Sequence, residues 1–370
     1  MTLVPAFVSE ALEYSLAKTR QNLAALTSFP EMTRDGKWVC VENGGWVGGH
    51  WVGLLWLAFA HSNDPLFEAG ARQWAERLAP RQFDTGTHDL GFLFELSHLL
   101  GARITGDTRL TAPAMQAARS LIQRYNTHGG FIQAWGPLDA PAERRGRAII
   151  DTMMNLDLLF WASKASAHSD FSLIAETHAH TALARHVRPD WTTSHVIDFN
   201  PDTGEFIKQD THQGLSPTSC WSRGQAWAVY GCAECFRETS NPIFLNASRC
   251  LARFMLANNP PDRVPFWDYN SPLLPNDVRD SSAAAILASG LLILAGLESD
   301  AEQAVAWRAE AEAILASLWQ SYTSRVDGSE SILIHATRSK PGRYMDQGLI
   351  YGDYYFVEAL TRLAKPEVPV

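Results

Sequence analysis

Two aspartates, each standing where a run of apolar residues begins, are the groups in this chain best suited to chemistry. Asp89 opens THDLGFLFELSHLLG (residues 87–101), and Asp151 opens the apolar part of RRGRAIIDTMMNLDLLFWASK (residues 144–164). With helical period, both segments are apolar nearly all round, which is the pattern of a buried helix. A carboxylate at the mouth of a buried helix is costly unless it is paired, capping or chemically employed. Two carboxylates in one dry pocket do not both ionise readily, so one keeps a proton and the site holds an acid and a base. That is equipment for general acid–base hydrolysis. Capping of their own helices is the other use open to both acids.

Around these acids the sequence offers aromatic and hydrogen-bonding residues in similar positions. WVGGHW carries Trp46, His50 and Trp51; His88 precedes Asp89; WSRGQAW carries Trp221, Arg223, Gln225 and Trp227. Long connections add Gln133, Trp135, His195 and, in THQG, His212 and Gln213. Rings mixed with polar groups suit a sugar, whose apolar faces stack while its hydroxyls need partners. Buried tryptophans also serve as core, and Arg223 has the option of pairing with an acid inside the protein. The histidines show no metal-ligand spacing.

The elements that must position these residues are helical. Segments with helical period begin near residues 5, 48, 65, 89, 109, 149, 170, 221, 242, 279, 301 and 347. Short connections (HSNDP, TGDTR, SAHSD, ETSNP, LESD) each supply Asp or Asn as a helix N-cap, twice followed by proline. They alternate with long ones at 28–47, 80–88, 126–148, 187–220, 259–278 and 323–346. Short turns close helix hairpins and long loops carry the chain onward, which predicts an all-α (α/α)6 barrel occupying residues 1–370 as a single catalytic domain. Helices that follow long loops form the inner ring, and their N-termini open on one face under the long loops. Within one long loop, SHVIDFNPDTGEFIKQ (194–209) reads as a small rim hairpin.

Net charge of -9 excludes a basic stripe, so neither nucleic acid nor an anionic membrane is an expected partner. No apolar run is long enough to span a bilayer, and the first residues read as an amphipathic helix without a signal-peptide pattern. Five scattered cysteines suggest a reducing compartment, with the cytoplasm the expected location. Cys232 and Cys235 form a CxxC inside a helical pattern with no second pair, which reads as a buried structural pair. Nothing in the pattern fixes an oligomeric state.

HDLGFLF (88–94), DTMMNLDLLFWAS (151–163), WSRGQAWAVYG (221–231), DSSAAAI (280–286) and YGDYYFVEAL (351–360) together resemble unsaturated glucuronyl hydrolases of glycoside hydrolase family 88. The resemblance covers roughly residues 40–362. It implies an (α/α)6 barrel, no metal or organic cofactor, and a short glycosaminoglycan-type oligosaccharide ending in a Δ4,5-unsaturated uronic acid. The implied reaction is hydration of the C4=C5 vinyl ether, after which the hemiketal opens and the aglycone leaves. By motif position Asp151 resembles the acid/base and Asp89 the second essential carboxylate. His195, Gln213, Arg223 and Trp227 resemble substrate-binding positions, with Trp135 a stacking ring; His88, Trp46 and Trp51 are expected beside them. His50 departs from the aromatic common in the family. The C-terminal AKPEVPV has no Ser/Lys-rich tail to hold a sulfate, which argues against a preference for sulfated substrates. An acidic protein binding an acidic sugar needs local positive charge, expected from Arg223, His195 and helix N-termini. Three other readings stay open: an unsaturated rhamnogalacturonyl hydrolase acting on pectin fragments, a sugar epimerase using histidines, and a non-catalytic sugar-binding barrel.

Overall fold

Antiparallel helix pairs build nearly all of the protein, and the computed structural model describes residues 4–370. The inner ring consists of Gly48–Ser62, residues 90–105, Asp157–Ser166, Ser222–Thr239, Ser281–Leu297 and Ile350–Ala364. The outer ring consists of Ala6–Ala25, Pro65–Leu78, Thr111–Ile122, Ser169–His186, Pro242–Asn258 and Ala301–Ser321. Each inner helix touches its neighbours, Ile350–Ala364 closes onto Gly48–Ser62, and Ala6–Ala25 packs beside that seam. This is the (α/α)6 barrel expected from the alternation of short and long connections.

The two rings differ in sequence because they differ in solvent. Ser281–Leu297 is buried through almost its whole length, whereas Ala301–Ser321 buries one stripe, including Trp307, Ala311, Ile314, Leu315 and Leu318. The short turns cap as expected: Asp64 Oδ1 accepts from Leu66 N at 2.9 Å, Asn241 Oδ1 from Ile243 N at 3.2 Å, and Asp300 Oδ1 from Glu302 N at 2.9 Å. Asp107 caps a single 3₁₀ turn, Thr108–Leu110, ahead of the following helix. SAHSD differs, because that helix starts at Ser169 without a side-chain cap and Asp170 lies inside its first turn.

The larger departure is at residues 147–157. The predicted helix from 149 is instead a strand, Arg147–Ile149, then a 3₁₀ helix, Ile150–Asn155, and only then the α-helix Asp157–Ser166. Tertiary pairing decides this: Arg147, Ala148 and Ile149 pair with Asp198, Ile197 and Val196. Arg147 also grips Asp198 through two bonds of 2.7 and 2.9 Å. Val196–Phe199 pairs in turn with Phe206–Asp210, so the predicted rim hairpin exists and gains a third strand. A second rim hairpin at 336–347 is marked by the bridges Ala336↔Gln347 and Ser339↔Tyr344. No helix among the described residues is long and apolar enough to cross a membrane. Cys232 and Cys235 lie buried on the inner helix Ser222–Thr239 as free thiols. Burial pushes the Cys232 thiol up to about 12, and so keeps it protonated.

Candidate active site

A cavity of about 710 Å³ opens at the mouth of the inner ring, lined by residues from five of the long loops. Asp89, Asp151, His88, Trp46, Trp135 and Gln213 all face it. Residues distant in sequence meet there because the loop segments are stitched side by side. His88 N donates to Ala134 O at 3.2 Å, Ala134 N to Arg147 O at 2.8 Å, and Ile150 N to His195 O at 3.0 Å.

The two acids are tied together through Asn155. Its Oδ1 accepts from Phe92 N at 2.8 Å, while its Nδ2 donates to the Asp151 carbonyl at 3.3 Å. Neither acid spends its carboxylate on capping. Asp89 precedes the helix without a capping bond; its Oδ2 accepts from Thr87 Oγ1 at 2.6 Å and its Oδ1 lies 3.4 Å from His88 Nε2. His88 is held by Thr152 Oγ1, 2.9 Å from its Nδ1. Asp151 Oδ2 is buried without a hydrogen-bond partner. Burial pushes the Asp151 carboxyl up to about 7; Arg223 pulls it down, and the nearby Asp89 raises it further. Near neutral pH Asp151 therefore exchanges a proton readily, as a group that must both donate and accept one requires.

The remaining expected residues divide into wall and backing. Trp46 and Trp135 present rings at the cavity, Trp135 lying edge-on to His212 at 5.4 Å. Gln213 lines the cavity, and its Nε2 donates to the Arg338 carbonyl at 2.7 Å. His195 sits behind Asp151, its Nε2 3.6 Å from Asp151 Oδ2. Direct sugar contact is not the position of Trp51, which is fully buried and packs edge-on against Trp74 at 5.9 Å. It follows His50 on the same helix and so points about 100° away. Trp227 is likewise enclosed, between Phe92 and Tyr355, with its indole turned toward Asp151. Arg223 pairs with the buried Asp280 and donates to the carbonyls of Thr337 and Arg338 at 2.7 and 2.6 Å. It acts on the site from behind, as the pairing reading anticipated. His50 is fully buried in a box of Trp46, Phe92, Tyr351, Tyr354 and Tyr355, and burial holds it down at about 3, hence neutral.

Sequence reasoning missed the 336–347 hairpin, which brings Arg338, Ser339, Pro341, Gly342 and Tyr344 to the cavity. Arg338 supplies the positive charge expected of Arg223; its Nη2 pairs with Glu31 at 2.7 Å. The basic, proline–glycine segment TRSKPGRY was the available signal. The C-terminal Pro366, Val368 and Val370 share a groove with Leu292 and Arg308, away from this cavity. Their composition therefore does not bear on what the cavity accepts. Among the described residues, no group of three or more His, Cys, Asp or Glu is arranged to hold a metal.

A helical barrel with a buried acid pair in a sugar-sized cavity is the architecture of a glycoside hydrolase. The family model for Glycosyl Hydrolase Family 88 matches residues 24–314, and the chain belongs to that family. It is 37% identical over 367 residues to an unsaturated glucuronyl hydrolase of Bacillus sp. (strain GL1), covering 96% of each chain. It is 32% identical to an unsaturated chondroitin disaccharide hydrolase of Streptococcus pyogenes serotype M1, covering 97% of this chain and 91% of that one. Among solved structures, the unsaturated glucuronyl hydrolase responsible for glycosaminoglycan degradation from Bacillus sp. GL1 superposes with a TM-score of 0.94 at 35% identity. That match covers 97% of both chains.

Proposed function

We propose that this enzyme removes the terminal Δ4,5-unsaturated uronic acid from lyase-generated, glycosaminoglycan-type oligosaccharides by hydrating the C4=C5 vinyl ether. The observation that carries the reading is Asp151: a carboxyl raised to about 7, with a free buried oxygen, at the head of a cavity shared with Asp89. Protonated Asp151 gives its proton to C4, and the ring oxygen shares the positive charge left at C5. Water adds to C5 and returns a proton to the Asp151 carboxylate. The C5 hemiketal opens, the former ring oxygen remains on C1, and C1 collapses to an aldehyde as the aglycone alcohol departs. Asp89 contributes negative charge that favours the protonated form of Asp151 and the cationic state that follows. Trp46 and Trp135 supply apolar faces for the sugar, and Arg338 and Gln213 supply charge and polarity for its carboxylate and hydroxyls.

The unpaired acid oxygen of Asp151 supports a catalyst over a binding module, and His88 and His195, both enclosed and held below the ordinary histidine value by burial, speak against a histidine-driven epimerase. The five free cysteines support a cytoplasmic setting, and the ring closure supports one catalytic domain. The test offers unsaturated disaccharides from hyaluronan, chondroitin, heparin and pectin and follows ultraviolet absorbance of the conjugated double bond. Fast loss on glycosaminoglycan disaccharides is expected; preference for the pectin disaccharide would replace this substrate class with the rhamnogalacturonyl one.

A further inference from the structure

The ring of His195 is gripped on one side only. The backbone N–H groups of His212 and Gln213 both donate to its Nδ1, each at 3.1 Å. Two amide donors require a lone pair on Nδ1, so the proton of the neutral ring sits on Nε2. An imidazolium would set a third N–H against those two donors. The side chain is fully buried, between Trp221 at 4.6 Å and the edge of Trp135 at 6.3 Å. Burial first, then His212, His186, Arg223 and Arg147, hold the ring well below its ordinary value.

The backbone that carries the ring is pinned as firmly. Ser194 N donates to His186 O at 2.9 Å, and His186 Nδ1 donates back to Ser194 O at 2.9 Å. The His195 carbonyl takes the Ile150 amide, the residue before Asp151. The Nε2–H that results lies 3.6 Å from Asp151 Oδ2, and neither atom has a hydrogen-bond partner. At that distance no hydrogen bond is made yet, but catalytic contacts tighten when a substrate closes the site.

Resting on the reading of Asp151 as the acid/base, we infer that His195 is a positioning residue: a non-titrating Nε2–H donor, fixed by the His212 and Gln213 amides, that steadies the ionised Asp151. His195 then neither delivers nor removes a proton during turnover. Its one effect on the reaction is to favour the Asp151 carboxylate each time the proton has gone to C4. The ionisable groups facing this pair are Asp89, Arg223, His212, His186 and Arg147.

Activity that requires protonated Asp151 falls as pH rises through its pKa. Losing a donor to the carboxylate raises that pKa and moves the alkaline limb of kcat/KM upward. For His195→Leu the expected displacement is roughly one pH unit or more, with His195→Gln, which keeps an N–H near the same place, close to wild type. Selective ¹⁵N-histidine labelling of the wild-type enzyme reads the tautomer directly, whether or not a variant folds. A persistent Nε2–H signature across neutral pH is expected; an Nδ1–H tautomer or a titrating His195 overturns the inference. An alkaline limb unmoved in His195→Leu, or one that moves only in His212→Gln, overturns it equally. Retained turnover in Asp151→Asn defeats instead the reading on which the inference rests.

Discussion

Gly91 and Asn155 are in such close contact that a Cβ at position 91 would lie 2.4 Å from the Asn155 Cα. Between them runs the seam on which the two acids depend, since Asp89 lies two residues before Gly91 and the Asn155 side chain holds the Asp151 carbonyl. Gly91→Ala must push these segments apart. The expected cost is about 1–3 kcal/mol of stability together with a kcat loss of about tenfold or more. Gly296→Ala is the control, because its Cβ would meet nothing within 4 Å and a helical alanine stabilises by up to about 1 kcal/mol. Equal kinetics for the two variants would break the link between this contact and catalysis.

The raised carboxyl of Asp151 is also a statement about stability. Its native pKa of about 7 stands above the ordinary 3.8, so the native state holds more protons than the unfolded chain between those values. Stability contributed by this group is full at low pH and is lost as pH rises through about 7. Asp151→Asn removes that loss. Its melting temperature should match wild type in acid and exceed it by about 2 °C or more in mild alkali. Asp353, raised in the same way, is common to both proteins and cancels in the difference. A gain in acid that vanishes in alkali would reverse the sign and refute the assignment.

Arg223 and Asp280 form a buried pair in which Asp280 also caps the Ser281–Leu297 helix. Arg223→Met leaves that acid buried and unpaired, at a cost of about 3–5 kcal/mol. Adding Asp280→Asn keeps the cap and should recover much of the stability, while kcat/KM stays depressed because the Arg338 carbonyl has lost a donor. Urea denaturation of the single and double variants checks this. A single variant as stable as wild type would show that the pair carries no such strain.

The tryptophans should separate by consequence. Trp51→Ala is expected to cost about 3–5 kcal/mol of stability, as a core truncation does. Trp135→Ala, at the cavity, should leave the melting curve near wild type and raise KM about tenfold. A stability loss at Trp135 matching that at Trp51 would move Trp135 from the binding wall into the core.

Where local chemistry sets the structure, the chain was legible. Asp64–Pro65, Asn241–Pro242 and Asp300 start their helices at the residues expected, because the cap and the fixed proline angle are local. The acids were legible for a related reason: a carboxylate heading an apolar run is anomalous in any fold. Residues 147–157 were not, because Ile149 joins a strand only through Val196, far along the chain. Arg338 was missed likewise, since Gln213 and Arg223 hold its loop at the cavity from elsewhere in the sequence. Trp51 lies in the core although it stands beside His50 in WVGGHW, because adjacent residues on a helix point about 100° apart.

The most direct test follows the ultraviolet absorbance of an unsaturated glycosaminoglycan disaccharide with wild type and with Asp151→Asn, after calorimetry has shown that both are folded and bind it. Steady loss of absorbance is expected with wild type, and a rate lower by about a thousandfold or more with the variant. Near-wild-type turnover by Asp151→Asn would remove Asp151 from the chemistry and the proposed mechanism with it.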